Sequence, residues 1–328
     1  MFENFLFFLF ITFLCDTIIF LDLVLGIFFF MQTGAGLLGN FFLLRHRISS
    51  FLSGTRMRPV DYIFSHLALA NSLGLISKGV PQTMVDLGLK IFLDRVGCRV
   101  TVFVHRVAHS LSVSITCLLS GYQVIIISPI SSSIWSEVKT CTSKCVLPFC
   151  FFSWVLHILM NISMFVTMQN FTERSNNTKI WNIGFCSDYA STSFQVSLSV
   201  IMYCIHDLLC VGFMVMASGY LVHLLQRHHQ QVQHIHSSSL LSRKSPEIKA
   251  TYTILVLVST YVSFYIINSI FSFYLFQFDK YQWLIPISAL LDACFPTISP
   301  FVLIGSDSQI HHLFYSLWGK KKTQDSFP

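Results

Sequence analysis

Seven long apolar runs dominate this sequence, and they restrict the possible fold more than any other feature. Each run holds enough mostly apolar residues, about 20, for an α-helix to cross a bilayer. Only 11% of the 328 residues are charged, whereas soluble domains have about 25% charged residues. The mean hydropathy of the chain is +0.64. These values argue against a soluble enzyme, a disordered chain and a nucleic-acid-binding protein. The runs, numbered here as spans one to seven, are Leu21–Leu44, Val60–Met84, Cys98–Ile127, Cys145–Met168, Ser191–Leu225, Ile248–Phe276 and Trp283–Ile304.

We therefore predict an all-α membrane protein, a seven-transmembrane helix bundle formed by residues 21–305. Residues 1–20 are expected to be an extracellular segment or an extension of span one, and residues 306–328 a cytoplasmic tail. In that tail, apolar residues recur with helical spacing from Ile310 to Trp318, and three lysines follow. This pattern predicts a short amphipathic helix on the inner leaflet. The ten cysteines form no CxxC pair, so no metal site is predicted and no cofactor is implied.

The distribution of Lys and Arg predicts the orientation, because cytoplasmic loops carry an excess of both. Thirteen lie in the tail and in the loops after spans one, three and five, whereas seven, Lys78 among them, lie on the other side. We therefore expect a plasma-membrane protein with an extracellular N-terminus and a cytoplasmic C-terminus. Two glycosylation sequons, at Asn170 and Asn176, fall in the loop after span four, on the predicted outer side.

Two cysteines lie on the predicted outer side. Cys98 opens span three, and Cys186 is in the same outer loop as the sequons. Because the exterior is oxidising, these two residues could form a disulfide bond. The alternative is two unpaired cysteines.

The third inner loop, Gln226–Ile248, is basic and contains four histidines. It is interpreted as a docking surface for a G protein, or as the ordinary excess of cytoplasmic cations, which would not account for the histidines. The sequence Ser245-Pro246-Glu247 combines a capping serine, a proline suited to the first helical position and an acid. It predicts that span six begins at Pro246.

Short motifs in consecutive spans resemble one receptor family. They include Gly39-Asn40 in span one, His66-Leu-Ala-Leu-Ala-Asn71 in span two, His105-Arg-Val-Ala in span three and Phe295-Pro-Thr-Ile-Ser-Pro in span seven. With the seven spans and the outer N-terminus, this set resembles the vomeronasal type-1 receptors, a family of G-protein-coupled pheromone receptors. The resemblance extends from about Leu21 to Ser306.

The resemblance implies a receptor rather than an enzyme. It implies a small pheromone-like ligand in the outer half of the bundle and a heterotrimeric G protein of the i/o class. Two alternatives remain: a bitter-taste-like chemoreceptor, and a seven-helix transporter or channel, for which no internal repeat is visible. The chain departs from the wider rhodopsin-like class, because Gly121-Tyr122-Gln123 replaces Asp-Arg-Tyr. Phe295 also replaces the commoner Asn of the vomeronasal family.

Histidines inside span three are the first candidates for a ligand site, because polar residues within a bilayer tend to face the bundle interior. His105 and His109 are four residues apart and share one helix face, roughly 10 and 16 Å from Cys98 along the helix axis. They are interpreted as groups that orient a ligand, or as residues that form hydrogen bonds between helices. A zinc site would need a further ligand.

Span six contributes the other candidates. Phe264 and Asn268 share one helix face, four residues apart. An apolar pocket with one amide suits a small organic ligand, whereas packing against lipid is the alternative for any single Phe.

The remaining polar residues within the spans are assigned structural roles. Asn40, Asn71 and Asp292, from spans one, two and seven, are hypothesised to form one interior polar site in which the carboxylate has moved from span two to span seven. A pair between Arg106 and Asp292 is conceivable. Asp207 in span five is predicted to face the bundle, because an unpaired carboxylate there is costly.

Overall fold

The computed structural model describes the backbone of residues 2–55, 57–89, 95–129, 133–169, 179–182, 187–190, 194–235, 246–277 and 284–306. Side chains are described for residues 23–55, 57–89, 96–129, 134–162, 201–227, 251–271 and 285–305, and for Gln230 and Tyr274. The predicted tail helix, both sequons and Cys186 lie outside the described residues.

Each predicted span is a helical rod in the described part of the chain. Six of the rods are single helices with a stretch long and apolar enough to cross a membrane: Phe2–Leu52, Arg95–Ile127, Ser133–Gln169, Phe194–Ile235, Pro246–Gln277 and Leu284–Ser306. Span two consists of three helical segments in series, Pro59–Gly74, Leu75–Gly79 and Val80–Asp86. Between spans four and five, strands β1 (Lys179–Asn182) and β2 (Ser187–Ala190) pair antiparallel.

Several helices are longer than the apolar runs that predicted them. Span one extends back to Phe2, span four begins at Ser133 instead of Cys145, and span five continues to Ile235, into the predicted third inner loop. Hydropathy marks the part of a helix that suits lipid, whereas backbone hydrogen bonds continue into polar sequence. The predicted start of span six at Pro246 is confirmed.

Span three lies at the centre of the bundle. In its apolar stretch, 56% of the residues are buried, compared with 22% in the apolar stretches of spans five and six. It packs against spans two, four and five. The largest core cluster joins Leu67, Leu119, Met214, Leu257 and Phe295, from five different spans. We name the end of the bundle where span three begins the Cys98 end, and the opposite end the Arg47 end.

A π-helical turn interrupts span two at Leu75–Gly79. Pro81 has no N–H, so it cannot donate to the carbonyl of Ser77 four residues earlier. The turn widens, and the N–H of Val80 bonds to the carbonyl of Leu75, five residues back. Backbone angles stay helical through Gly74 and Val80, so the rod remains continuous, and this turn carries Lys78.

Spans one and seven approach closely at Gly36. A Cβ at this position would lie 2.7 Å from Leu75 Cδ1 and 3.1 Å from the Cα of Thr297. The Thr297 contact is to backbone, which cannot move aside as a side-chain end does. At Gly34, two residues earlier, a Cβ would meet nothing within 4 Å.

We expect Gly36→Val to destabilise the protein by about 1–3 kcal/mol, the usual cost of overpacking. Gly34→Val introduces the same side chain into the same helix and serves as the matched control. Thermal unfolding of the purified protein, followed by tryptophan fluorescence, would measure both. Equal melting temperatures for the two variants would contradict the close approach.

Candidate functional site

A small cavity lies inside the bundle in the half nearer the Cys98 end. Spans one, two, three, six and seven contribute to its wall, and its volume is about 60 Å³. Sites for small organic molecules usually measure roughly 300–1,000 Å³, so this cavity is smaller than such sites. All four residues predicted to contact a ligand line this cavity: His105, His109, Phe264 and Asn268.

An ion pair between spans two and seven forms one polar part of the wall. Lys78 Nζ lies 2.7 Å from Asp292 Oδ2, and the two side chains are only 19% and 11% exposed. From the sequence, Lys78 was counted among the outer cations, so this role was missed. The signal was available, because Lys78 lies within span two as predicted and a cation at such depth needs a partner.

Both histidines of span three approach the same carboxylate. His105 Nε2 lies 3.1 Å from Asp292 Oδ2, and His109 Nδ1 lies 3.6 Å from Asp292 Oδ1. On its other side, His109 Nε2 lies 3.7 Å from Asp207 Oδ2 in span five. The shared face predicted for these histidines is therefore present, and it joins spans three, five and seven through polar contacts, with Lys78 of span two on the same carboxylate.

Arg106 does not pair with Asp292, which takes Lys78 instead. Its guanidinium carbon lies 5.5 Å from the ring centroid of Tyr203 in span five. The ring of His109 stacks against the same tyrosine. Lys78 reaches Asp292 because both line the cavity.

The hypothesis of one polar site containing Asn40, Asn71 and Asp292 needs correction, because the structure places these residues in separate hydrogen-bonded groups. Asn71 Nδ2 donates to Ser299 Oγ at 2.8 Å, seven residues after Asp292. Seven residues are about 10 Å along a helix. The carboxylate therefore binds at the level of Lys78, nearer the Cys98 end, where a cation balances its charge.

Asn40 satisfies a carbonyl that span seven cannot satisfy internally. Pro300 has no N–H to donate to the carbonyl of Pro296, and Asn40 Nδ2 donates to it at 2.9 Å. Asn40 is 1% exposed, so without this amide the carbonyl would lose its partner. The residue therefore joins span one to the proline-containing part of span seven.

Two buried polar atoms on the cavity wall have no hydrogen-bond partner in the described part of the chain. They are Nδ1 of His105 and the hydroxyl oxygen of Tyr261, and both residues line the cavity. Such atoms are rare in folded proteins, because each costs about 1–3 kcal/mol. Tyr261 was not predicted from the sequence, although it lies three residues before Phe264 on the same face of span six.

Asn268 already has a partner on span seven. Ser288 Oγ donates to Asn268 Oδ1 at 2.8 Å, so the amide links spans six and seven at the cavity wall. Phe264 lines the same cavity and adds an apolar ring to its wall.

Cys98 is buried at the start of span three and forms a disulfide bond. Its predicted partner Cys186 lies outside the described residues, so the pairing itself stays a prediction. Among the described residues, no group of three His, Cys, Asp or Glu side chains is arranged to hold a metal ion.

The seven-helix bundle, with an interior cavity near one end, is the fold of G-protein-coupled receptors. Squid rhodopsin superposes with a TM-score of 0.66 over 94% of this chain and 84% of its own, at 14% identity, which shows the fold alone. The model of the vomeronasal organ pheromone receptor family matches residues 23–316. The chain belongs to this family and is a multi-pass membrane receptor.

Individual relatives agree with the family match. Human vomeronasal type-1 receptor 1 is 41% identical over 90% of this chain and 84% of its own length. Human vomeronasal type-1 receptor 3 is also 41% identical, over 91% of this chain and 96% of its own length. A zebrafish relative, olfactory receptor class A-like protein 1, is 30% identical over 87% of this chain and 90% of its own length.

Proposed function

We propose that this receptor binds a small organic, pheromone-like ligand in the cavity between Lys78, Asp292 and Tyr261, and that binding activates a G protein of the i/o class. The observation that carries the proposal is the combination of a buried ion pair with two unpartnered polar atoms on a largely apolar wall. Interior charges and unsatisfied groups are costly in a membrane protein, and they concentrate where a ligand compensates for them. The i/o class follows from the resemblance to the family.

The small volume of the cavity supports a mechanism based on a shift between helix arrangements. A ligand larger than about 60 Å³ fits only after spans six and seven move away from span three. It therefore binds the wider arrangement better and increases its population. Hydrogen bonds from the ligand to His105 Nδ1 and the Tyr261 hydroxyl would exist only in that arrangement, so they provide the differential affinity that such a shift requires.

We further propose that the Cys98 end faces the outside of the cell and the Arg47 end faces the cytoplasm. The Lys and Arg distribution supports this orientation, as do the sequons at Asn170 and Asn176, which follow span four in the sequence. The ligand cavity then opens toward the extracellular medium, and the G protein meets the ends of spans three, five and six at the Arg47 end.

The test is a signalling assay in cells that express the receptor with an N-terminal epitope tag. Inhibition of cyclic-AMP production would be measured against a panel of volatile and steroidal compounds, with and without pertussis toxin. Antibody binding to the tag on intact cells measures surface delivery and orientation together. Tag detection only after permeabilisation would contradict the orientation, and a signal insensitive to the toxin would contradict the i/o class.

Two histidine variants locate the ligand in this assay. His105→Ala is expected to raise the half-maximal concentration of an active compound about tenfold, because it removes the proposed hydrogen bond between the ligand and His105 Nδ1. His66→Ala is the matched control, because His66 accepts a hydrogen bond from Trp154 at 3.1 Å and does not line the cavity. Equal effects of the two variants, at equal surface delivery, would place the ligand elsewhere.

A further inference from the structure

A second cavity opens on the lipid-facing side of spans three, four and five, and we name it the lateral groove. Its volume is about 430 Å³, which is within the range of small-molecule sites and much larger than the interior cavity. The two share no lining residue. Phe149, Phe152 and Phe213 form part of the groove wall and are 46%, 60% and 44% exposed, so the groove faces the acyl chains of the bilayer.

The wall of the lateral groove contains a hydrogen-bonded polar trio. Ser114 Oγ lies 2.8 Å from Nε2 of His157 in span four and 3.0 Å from Nε2 of His206 in span five. The rings of the two histidines meet edge to face, with centroids 4.9 Å apart. Ser114 lies near the middle of span three, where polar groups on a surface open to lipid are costly and mark functional sites.

Asp207 fixes one hydrogen on His206. Its Oδ1 lies 3.0 Å from His206 Nδ1, and a carboxylate only accepts, so Nδ1 carries a hydrogen. The Ser114 hydroxyl has a single hydrogen, so it donates to Nε2 of one histidine and accepts from Nε2 of the other. A serine oxygen has two lone pairs, so Ser114 keeps one acceptor position available to an occupant of the groove.

We propose that the lateral groove is a second binding site, which takes an uncharged, lipid-soluble alcohol that enters from the bilayer. The free acceptor position on Ser114 selects a hydroxyl, which can donate, over a ketone or a hydrocarbon. A charged molecule is disfavoured at this depth by about 2.5–3.5 kcal/mol. A phospholipid acyl chain would bring only its methyl end to the middle of the bilayer and leave the trio without a partner.

The test uses a nonanol that carries a photoreactive diazirine in its chain, with the full-length receptor in lipid nanodiscs. After irradiation, mass spectrometry identifies the labelled residues. We expect labelling on the segments around Phe152 and Phe213, and we expect unlabelled nonanol to suppress it, whereas nonane and nonanone do not. Labelling spread evenly over the lipid-facing helices, or suppressed equally by nonane, would overturn the proposal.

Two pairs of variants distinguish a site from simple partition into lipid. Ser114→Ala is expected to raise the half-saturating probe concentration about tenfold, whereas Ser120→Ala is not, because Ser120 bonds only to the Thr116 carbonyl of its own helix among the described contacts. Leu156→Trp fills the groove from its exposed edge and should abolish labelling without disturbing the core.

Leu159→Trp is the matched control for the filling variant. Leu159 is 59% exposed on the same helix and does not line the groove, so labelling should be unchanged. Because Leu156 and Leu159 are both partly open to lipid, neither substitution threatens folding, and the result remains decisive if Ser114→Ala fails to fold. Persistent labelling in Leu156→Trp would overturn the proposal.

Discussion

Asp292→Asn is expected to destabilise the folded receptor by about 3–5 kcal/mol, because it leaves the buried cation of Lys78 without a carboxylate. Lys78→Met should cost less. In that variant His105 and His109 remain beside Asp292 at 3.1 and 3.6 Å, and either ring can take up a proton to balance the carboxylate. Melting temperature in detergent, together with surface delivery in cells, measures both effects.

The double variant Lys78→Met/Asp292→Asn provides the control for this ion pair. It contains no unpaired charge, so it should be more stable than Asp292→Asn alone. Groups in direct contact show such non-additive effects, whereas distant groups add independently. A double variant that loses the full sum of the two single losses would mean that Lys78 and Asp292 do not stabilise each other.

Arg47→Ala is the second substitution from which we expect a large effect. Arg47 Nη1 lies 3.0 Å from Asp61 Oδ1, and the two side chains are only 5% and 8% exposed. Removing the arginine leaves a buried carboxylate with less compensation, at a cost of about 3–5 kcal/mol. The guanidinium also lies 5.8 Å from the Phe64 ring centroid, and that contact is lost as well.

Arg58→Ala is the matched control, because Arg58 contacts the same carboxylate from the surface. Its Nη2 lies 3.2 Å from Asp61 Oδ1, but its side chain is 60% exposed. Exposed ion pairs are worth about 0–1 kcal/mol, so this variant should stay close to the parent in melting temperature. A loss in Arg58→Ala equal to that in Arg47→Ala would show that burial does not decide the strength of these pairs.

The helical bundle was predictable from the sequence because the bilayer imposes a simple requirement on length and polarity. Helix ends were less predictable, because a helix such as span four continues into polar residues that hydropathy assigns to a loop. Pro246 was an exception. A capping serine and a proline act locally, and they marked the start of span six correctly.

The candidate site was predicted only in part, because the sequence shows the spacing along one helix but not how different helices pack. Helical spacing placed His105 and His109 on one face, and they line the cavity together. Spacing along one helix does not reveal which residue of another helix lies opposite, so Asp292 was assigned to Asn71 instead of Lys78. Asp207 was expected to face the bundle, and it is buried, 4% exposed, but its contacts with two histidines depended on how spans three and five pack.

The widened turn at Leu75–Gly79 has a consequence for comparing this receptor with others of its fold. Cavity-lining residues of span two recur every four positions, at Asn71, Leu75 and Gly79, whereas a regular helix drifts about 40° over each such step. The π-helical turn offsets that drift by taking in one additional residue. A receptor whose second helix is regular would therefore need a one-residue gap here before positions beyond the turn correspond in space.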